Sequence, residues 1–326
     1  MKLLTMGEAL LVMDPQEIGS LTSVDSFRSR IGGAEVNVAV GLARLGCQVR
    51  WFGRLGKDPF GQRIFRFLRG EGVDVDKVQF AADAPTGLYI KERLRPDKIN
   101  GYYYRAFSAA SRLVPDLVPD DLLTGIDYLH LTGITPALSQ GCREAVFALL
   151  RRAKAQKIKI SFDPNLRLKL WPLSEARKVL TELAALSDLI LPGIDEGKLL
   201  WGEDFGWNDS WLPEEMALRL GEYLLALGAQ TAVVKMGEAG AMLVEKDRPR
   251  FLPAYKVERP VDVVGAGDGF AAGLLSGLLQ GKSLVQAIDN GQAVASLVVS
   301  RPGDLDGLPT AEELAVFLGQ REDVER

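Results

Sequence analysis

Short apolar runs alternate along this chain with longer stretches of helical periodicity. Leu3–Thr5, Val49–Gly53, Tyr128–Thr132, Lys159–Asp163, Leu189–Pro192 and Ala232–Met236 are brief, and Gly, Pro, Asp or Asn often flank them, which marks them as strands. Between them, apolar positions recur at helical spacing in Ala34–Leu45, Phe60–Gly70, Gly141–Gln156, Leu173–Ala185 and Glu214–Leu227. Strand–helix–strand alternation predicts an α/β fold with a mostly parallel central sheet and helices on both faces. Two segments break the rhythm. Glu8–Arg30 and Gly87–Phe107 are β-like without following helices. They predict a small antiparallel sheet, from about 8–30 and 87–107, lying as a lid over one end of the main sheet; an edge hairpin without function is the other reading. No repeat or linker divides the chain, so 1–326 is expected to be a single domain with that appendage.

Composition narrows the function classes. The 326 residues are 47% hydrophobic and 25% charged, with a net charge of −4 and acids and bases interspersed, so no broad nucleic-acid surface is expected. No apolar run approaches the ~18 residues of a membrane helix, and no membrane association is expected. Cys47 and Cys142 match no disulfide or metal spacing, which predicts a reducing, cytoplasmic setting. His130 is the single histidine, which disfavours histidine triads and multi-histidine metal sites.

The strongest chemical signal is Asp262-Val263-Val264-Gly265-Ala266-Gly267-Asp268-Gly269-Phe270. It predicts a strand ending at Val264, a glycine turn, and a helix carrying Phe270, Leu274 and Leu278. Glycines allow close backbone approach, and free N–H groups at a helix start suit a phosphate. An aspartate there, Asp268, can accept a hydroxyl proton during attack on phosphorus. A glycine-rich turn with a stabilising acid at the helix N-terminus is the competing reading. Gly265-x-Gly267-x-Gly269 is not a dinucleotide fingerprint, and the Walker-like run at Gly277–Ser283 is one residue short and closes a helix.

With Gly32-Gly33-Ala34-x-x-Asn37-x-Ala39 and Gly53-x-x-Gly56-x-Asp58-x-x-Gly61 near the other end of the chain, the Gly-Ala-Gly-Asp loop resembles the paired signatures of the ribokinase-like (PfkB) carbohydrate kinases over nearly the full length. The resemblance implies a ribokinase-like α/β domain with a β lid. It implies Asp268 as catalytic base, the amides of Gly265, Ala266 and Gly267 as an anion hole, and ATP with Mg²⁺, with a monovalent cation as a further candidate. Lys235, Gly237, Gly240 and Gln292 join Gly265 and Gly267 as candidate ATP contacts, and Glu196 is a candidate indirect metal contact. The chain departs from the family at Gly193, where an asparagine is usual, and at Val264, often a threonine. Lid strands in such kinases pair across subunits, which implies a homo-oligomer.

Within the family, Tyr103-Tyr104-Arg105, Asp163-Pro164-Asn165-Leu166-Arg167 and Arg301-Pro302-Gly303-Asp304 look like the 2-keto-3-deoxygluconate kinases. By similarity, Gly33, Tyr89, Tyr103, Arg105 and Arg167, with Asp304 nearby, would hold a sugar acid, since arginine pairs well with a carboxylate. The expected activity is ATP-dependent phosphorylation of that acid on its 6-hydroxyl. A fructokinase or ribokinase is the alternative in the family, and a non-catalytic sugar-acid sensor the alternative outside it.

Overall fold

The computed structural model describes residues 1–95, 98–246, 248–301, 303 and 305–320. Asp304 lies outside them. The main sheet is built from β1 (Lys2–Met6), β4 (Gln48–Phe52), β9 (Tyr128–Thr132), β10 (Lys159–Asp163), β11 (Leu189–Ile190), β12 (Thr231–Lys235), β13 (Gly240–Val244) and β14 (Arg250–Pro253). Its order is β14-β13-β12-β11-β10-β9-β1-β4, parallel from β12 to β4 and closed by the antiparallel hairpin of β13 and β14. Alternate strand residues feed two cores. Leu4, Leu129, Leu131, Ile190 and Val234 face one, and Leu3, Val49, Leu189, Leu191 and Val233 face the other, as the two-residue repeat of a strand buried on both faces requires.

A second sheet holds β2 (Leu10–Pro15), β3 (Phe27–Gly32), β7 (Gly87–Arg95) and β8 (Lys98–Tyr104) in the order β3-β2-β7-β8. The expected sheet exists, but it is not wholly antiparallel: β2 and β7 run parallel. A tight hairpin cannot join parallel neighbours, and the segment between them indeed carries α1 (Ala34–Arg44), α2 (Pro59–Gly70) and the two-stranded sheet of β5 (Arg54–Gly56) and β6 (Gln79–Ala81).

The remaining helices are α3 (Ile134–Leu138), α4 (Gln140–Ala155), α5 (Leu173–Ala185), α6 (Ile194–Trp201), α7 (Pro213–Leu227), α8 (Ala266–Leu279), α9 (Leu284–Val299) and α10 (Ala311–Phe317). The expected strand ending at Val264 is absent. Residues 261–265 form an irregular loop and turn, with Val261, Val263 and Val264 exposed. Their amides go elsewhere: the N–H groups of Val261 and Asp262 donate to the Val299 carbonyl, and that of Val264 to the Asp262 side chain. β-Branched residues alone do not make a strand where no neighbouring strand supplies a ladder.

α1 and α8 pack against each other through small residues. A Cβ on Gly41 would come 2.7 Å from Cβ of Ala272. Four residues earlier on each helix stand Asn37 and Asp268. Positions four apart share a helix face, so this close packing brings those two side chains together.

Candidate active site

The carboxyl ends of β1, β9, β10 and β12 and the N-termini of α1, α6 and α8 converge on one region, where ligand clefts form in open α/β sheets. Asp268 stands at its centre. Its Oδ2 accepts from Asn37 Nδ2 at 2.7 Å and its Oδ1 from Asn165 Nδ2 at 3.4 Å. Burial pushes its carboxyl up to about 7; Asn37, Arg167 and Lys235 oppose that rise, while the nearby Asp163 adds to it. Near neutral pH such a group exchanges its proton readily, which suits a general base.

The α8 start carries free backbone donors. Gly265 takes the left-handed conformation as N-cap (φ 81°). The Ala266 N–H donates to Val263 and that of Gly269 to Gly265, whereas the amides of Gly265, Gly267 and Asp268 have no acceptor among the described residues. Unmet donors at a helix N-terminus form an anion site. Lys235, at the end of β12, reaches the same place: a Cβ on Gly267 would lie 3.6 Å from its Nζ. Nζ meets Asp163 Oδ2 at 2.5 Å. Burial draws the Lys235 ammonium down, but Asp163, Glu196 and Asp268 outweigh it and hold the group above the ordinary lysine range.

Glu196 serves the backbone. Its two oxygens accept from the amides of Leu166 and Gly193, at the start of α6. Burial, then Asp163, push its carboxyl up. Among the described residues, no group of three or more His, Cys, Asp or Glu gathers to hold a metal ion.

Gly33 is the N-cap of α1 (φ 134°), and a Cβ there would strike the Glu8 carbonyl at 2.3 Å. Tyr89 and Tyr103 are cross-strand partners on β7 and β8, stacked with ring centroids 4.4 Å apart. Tyr102 points the other way, and its hydroxyl donates to Glu92 at 3.0 Å. Arg167 is exposed just beyond β10, and its charge acts on Asp268. Arg105 is already paired within the protein. Its Nε donates to Glu8 Oε2 at 2.7 Å and its Nη2 pairs with the same oxygen.

Gly237 and Gly240 bound the turn from β12 to β13, and Gly240 packs against the Leu252 carbonyl, so its lack of a side chain serves strand packing. Gln292 does not join the cluster around Asp268. It is buried on α9 and its Nε2 donates to the Leu252 carbonyl at 2.9 Å. His130 is buried beside Ser161 and held neutral by desolvation, its pKa lowered to about 4.

Sequence reasoning did not single out Glu8, Glu35, Asn37, Asp163 or Asn165 as site residues. Three of them lay within quoted motifs: Asn37 in the first signature, Asp163 and Asn165 in Asp-Pro-Asn-Leu-Arg. Asn165 carries a positive φ of 41°, which asparagine tolerates better than most residues. Glu35 had no signal beyond its place beside Gly33-Ala34. It is buried against the hydroxyls of Thr132 and Thr135 at 2.6 and 2.7 Å, and burial pushes its carboxyl up.

Comparison with known proteins finds relatives along nearly the whole chain. The chain is 41% identical over 323 residues to a 2-dehydro-3-deoxygluconokinase of Bacillus subtilis, covering 98% of this chain and 96% of that protein. It superposes with a TM-score of 0.88 on the crystal structure of a 2-dehydro-3-deoxygluconokinase from Thermotoga maritima, at 27% identity over 98% of each chain. An uncharacterized sugar kinase from Pyrococcus horikoshii, solved in complex with ATP, gives a TM-score of 0.81 at 27% identity, covering 96% of this chain and 97% of that one. The family model described as pfkB family carbohydrate kinase matches residues 2–311, and the chain belongs to that family of carbohydrate kinases.

Proposed function

We propose that this kinase transfers the terminal phosphoryl group of ATP to the 6-hydroxyl of 2-keto-3-deoxygluconate (2-dehydro-3-deoxygluconate). The observation that carries the reading is the meeting of Asp268, poised near neutrality, with acceptor-free amides and a lysine at one helix start. Asp268 takes the proton of the attacking hydroxyl as the new O–P bond forms and the bond to the ADP oxygen breaks. The amides of Gly265 and Gly267, with Lys235, stabilise charge on the transferring group. Asn37 and Asn165 hold the carboxylate in place. Mg²⁺, when bound, would neutralise phosphate charge, and Glu196, engaged by backbone amides, would act on it only indirectly. Arg167, Arg105 and the Tyr89–Tyr103 pair hold the acid end of the sugar. The 41% identity to a 2-dehydro-3-deoxygluconokinase supports the substrate choice.

ADP release with a panel of 2-keto-3-deoxygluconate, fructose and ribose tests this. The reading expects kcat/KM at least ~10-fold higher for the acid, the discrimination that one charge-assisted contact provides. Equal rates on fructose contradict the carboxylate reading, and tight sugar-acid binding without ADP release contradicts catalysis. A homo-oligomer belongs to the same proposal, supported by the open edge strand β8 with Tyr104 exposed and by the exposed Phe107. Sedimentation velocity checks it, and a monomer at assay concentration removes it.

A further inference from the structure

We infer that Glu8 is a positioning residue for the acid end of the substrate: it fixes Arg105 beside the tyrosine pair and leaves one edge of the guanidinium uncommitted. This rests on the sugar-acid reading above. Glu8 lies between β1 and β2 and is 1% exposed. Its Oε2 takes both Nε and Nη2 of Arg105, and its Oε1 takes the Ser108 hydroxyl at 3.0 Å. A turn in which the Ser108 N–H donates to the Arg105 carbonyl brings both partners to the same acid.

The surroundings leave Glu8 little access to a ligand. A Cβ on Gly87 would come 2.8 Å from its Oε1, and one on Gly33 would strike its backbone carbonyl. Arg105 remains partly reachable. Its guanidinium carbon lies 5.2 Å from the Tyr103 ring centroid, and that ring stacks on Tyr89. Nη1 has no acceptor among the described residues, whereas Nε and Nη2 are committed. An arginine clamped on one edge offers the other as a fixed donor, so little rotamer freedom is lost when a carboxylate arrives.

The test uses the full chain and compares wild type with Glu8→Gln, Glu8→Asp, Arg105→Gln and the Glu8→Gln/Arg105→Gln double variant. KM and kcat are measured for 2-keto-3-deoxygluconate and for ATP. Glu8→Gln is expected to raise the sugar-acid KM by ~10-fold, leaving kcat and the ATP KM within about threefold. Glu8→Asp, which keeps the charge, recovers part of the loss. The double variant is no worse than Arg105→Gln alone, because nothing remains to aim. Additive losses, a wild-type sugar-acid KM in Glu8→Gln, or an equal loss on ATP would each overturn the inference. If Glu8→Gln fails to fold by thermal melting, Ser108→Ala removes only the second anchor; a rise of about threefold in sugar-acid KM then supports the inference, and no change overturns it. The wild-type arm separates the two claims, since a wild-type enzyme inactive on sugar acids refutes the substrate reading itself.

Discussion

The start of α8 and the inner end of the small sheet both carry buried charge, but they answer it differently. Around Arg105, charge is met by charge: Glu8 takes two of its donors, and Ser108 completes the acid. Around Asp268, the nearest hydrogen-bond partners are two neutral amides, a second acid lies close by, Lys235 and Arg167 do not outweigh the cost of burial, and three backbone N–H groups have no acceptor among the described residues. A satisfied network holds its members in one geometry. An unsatisfied one stores an electrostatic demand that a substrate can meet, and perturbed carboxyls therefore gather where chemistry occurs.

Removing the unmet acid gives the largest contrast. Asp268→Asn is expected to lower kcat by ~10³-fold, within the range for loss of a general base, while ATP still binds. The same change stabilises the fold above neutrality. The folded carboxyl keeps its proton up to about 7, whereas the free group releases it near 3.8. The folded state thus binds more protons between those values, and this contribution is full below about pH 4 and lost as pH rises through 7. At pH 8 the variant should be more stable by roughly 1–3 kcal/mol, less than the full shift implies because water still reaches the residue in the cleft and screens its charge. Denaturant titration at pH 5 and pH 8 checks the sign; equal stability at both counts against the unmet charge.

Pushing α1 off α8 comes next. Gly41→Val inserts atoms where a Cβ alone would already meet Ala272 at 2.7 Å. It should cost about 1–3 kcal/mol and move Asn37 from Asp268, so turnover falls well beyond the loss in stability. Normal kcat in a folded Gly41→Val protein would show that the Asn37 contact is dispensable.

Arg167→Ala probes the link between the regions. The sugar-acid KM should rise ~10-fold or more with the ATP KM unchanged. Because Arg167 lowers the Asp268 pKa, the acidic limb of the kcat/KM profile should move to higher pH. Asn37→Ala should move that limb the same way, without the KM effect. A pH profile identical to wild type in both variants removes Asp268 from the limb.

The smallest effect is expected at Glu196. Its carboxyl ties the Gly193 and Leu166 amides, so Glu196→Gln should cost on the order of 1 kcal/mol of stability and change kcat only a few-fold. A loss of 10²-fold or more, relieved by raising Mg²⁺, would instead place this acid on the metal.

Most of the framework was legible because it is local. Tyr128–Thr132 and Lys159–Asp163 end where their patterns predicted, and α1 and α5 fall within a residue of theirs, since apolar periodicity and flanking turn residues act over a few positions. The Gly-Ala-Gly-Asp loop was legible for the same reason. The stretch before Val264 misled: three valines look β-like, but only a neighbouring strand could have made them one. The bond from the Gln292 amide to the Leu252 carbonyl was not legible, because nothing near Gln292 in sequence points to residue 252.

Sequence by itself determined the alternation of strands and helices, the glycine turn at Gly265 and the acid three residues beyond it, all set by short-range sterics and periodic burial. Tertiary structure alone decided which groups answer one another. Asn37 meets Asp268, and Glu8 meets Arg105, across long stretches of chain, because desolvation and Coulomb attraction depend on distance in space, which periodicity along the chain does not encode.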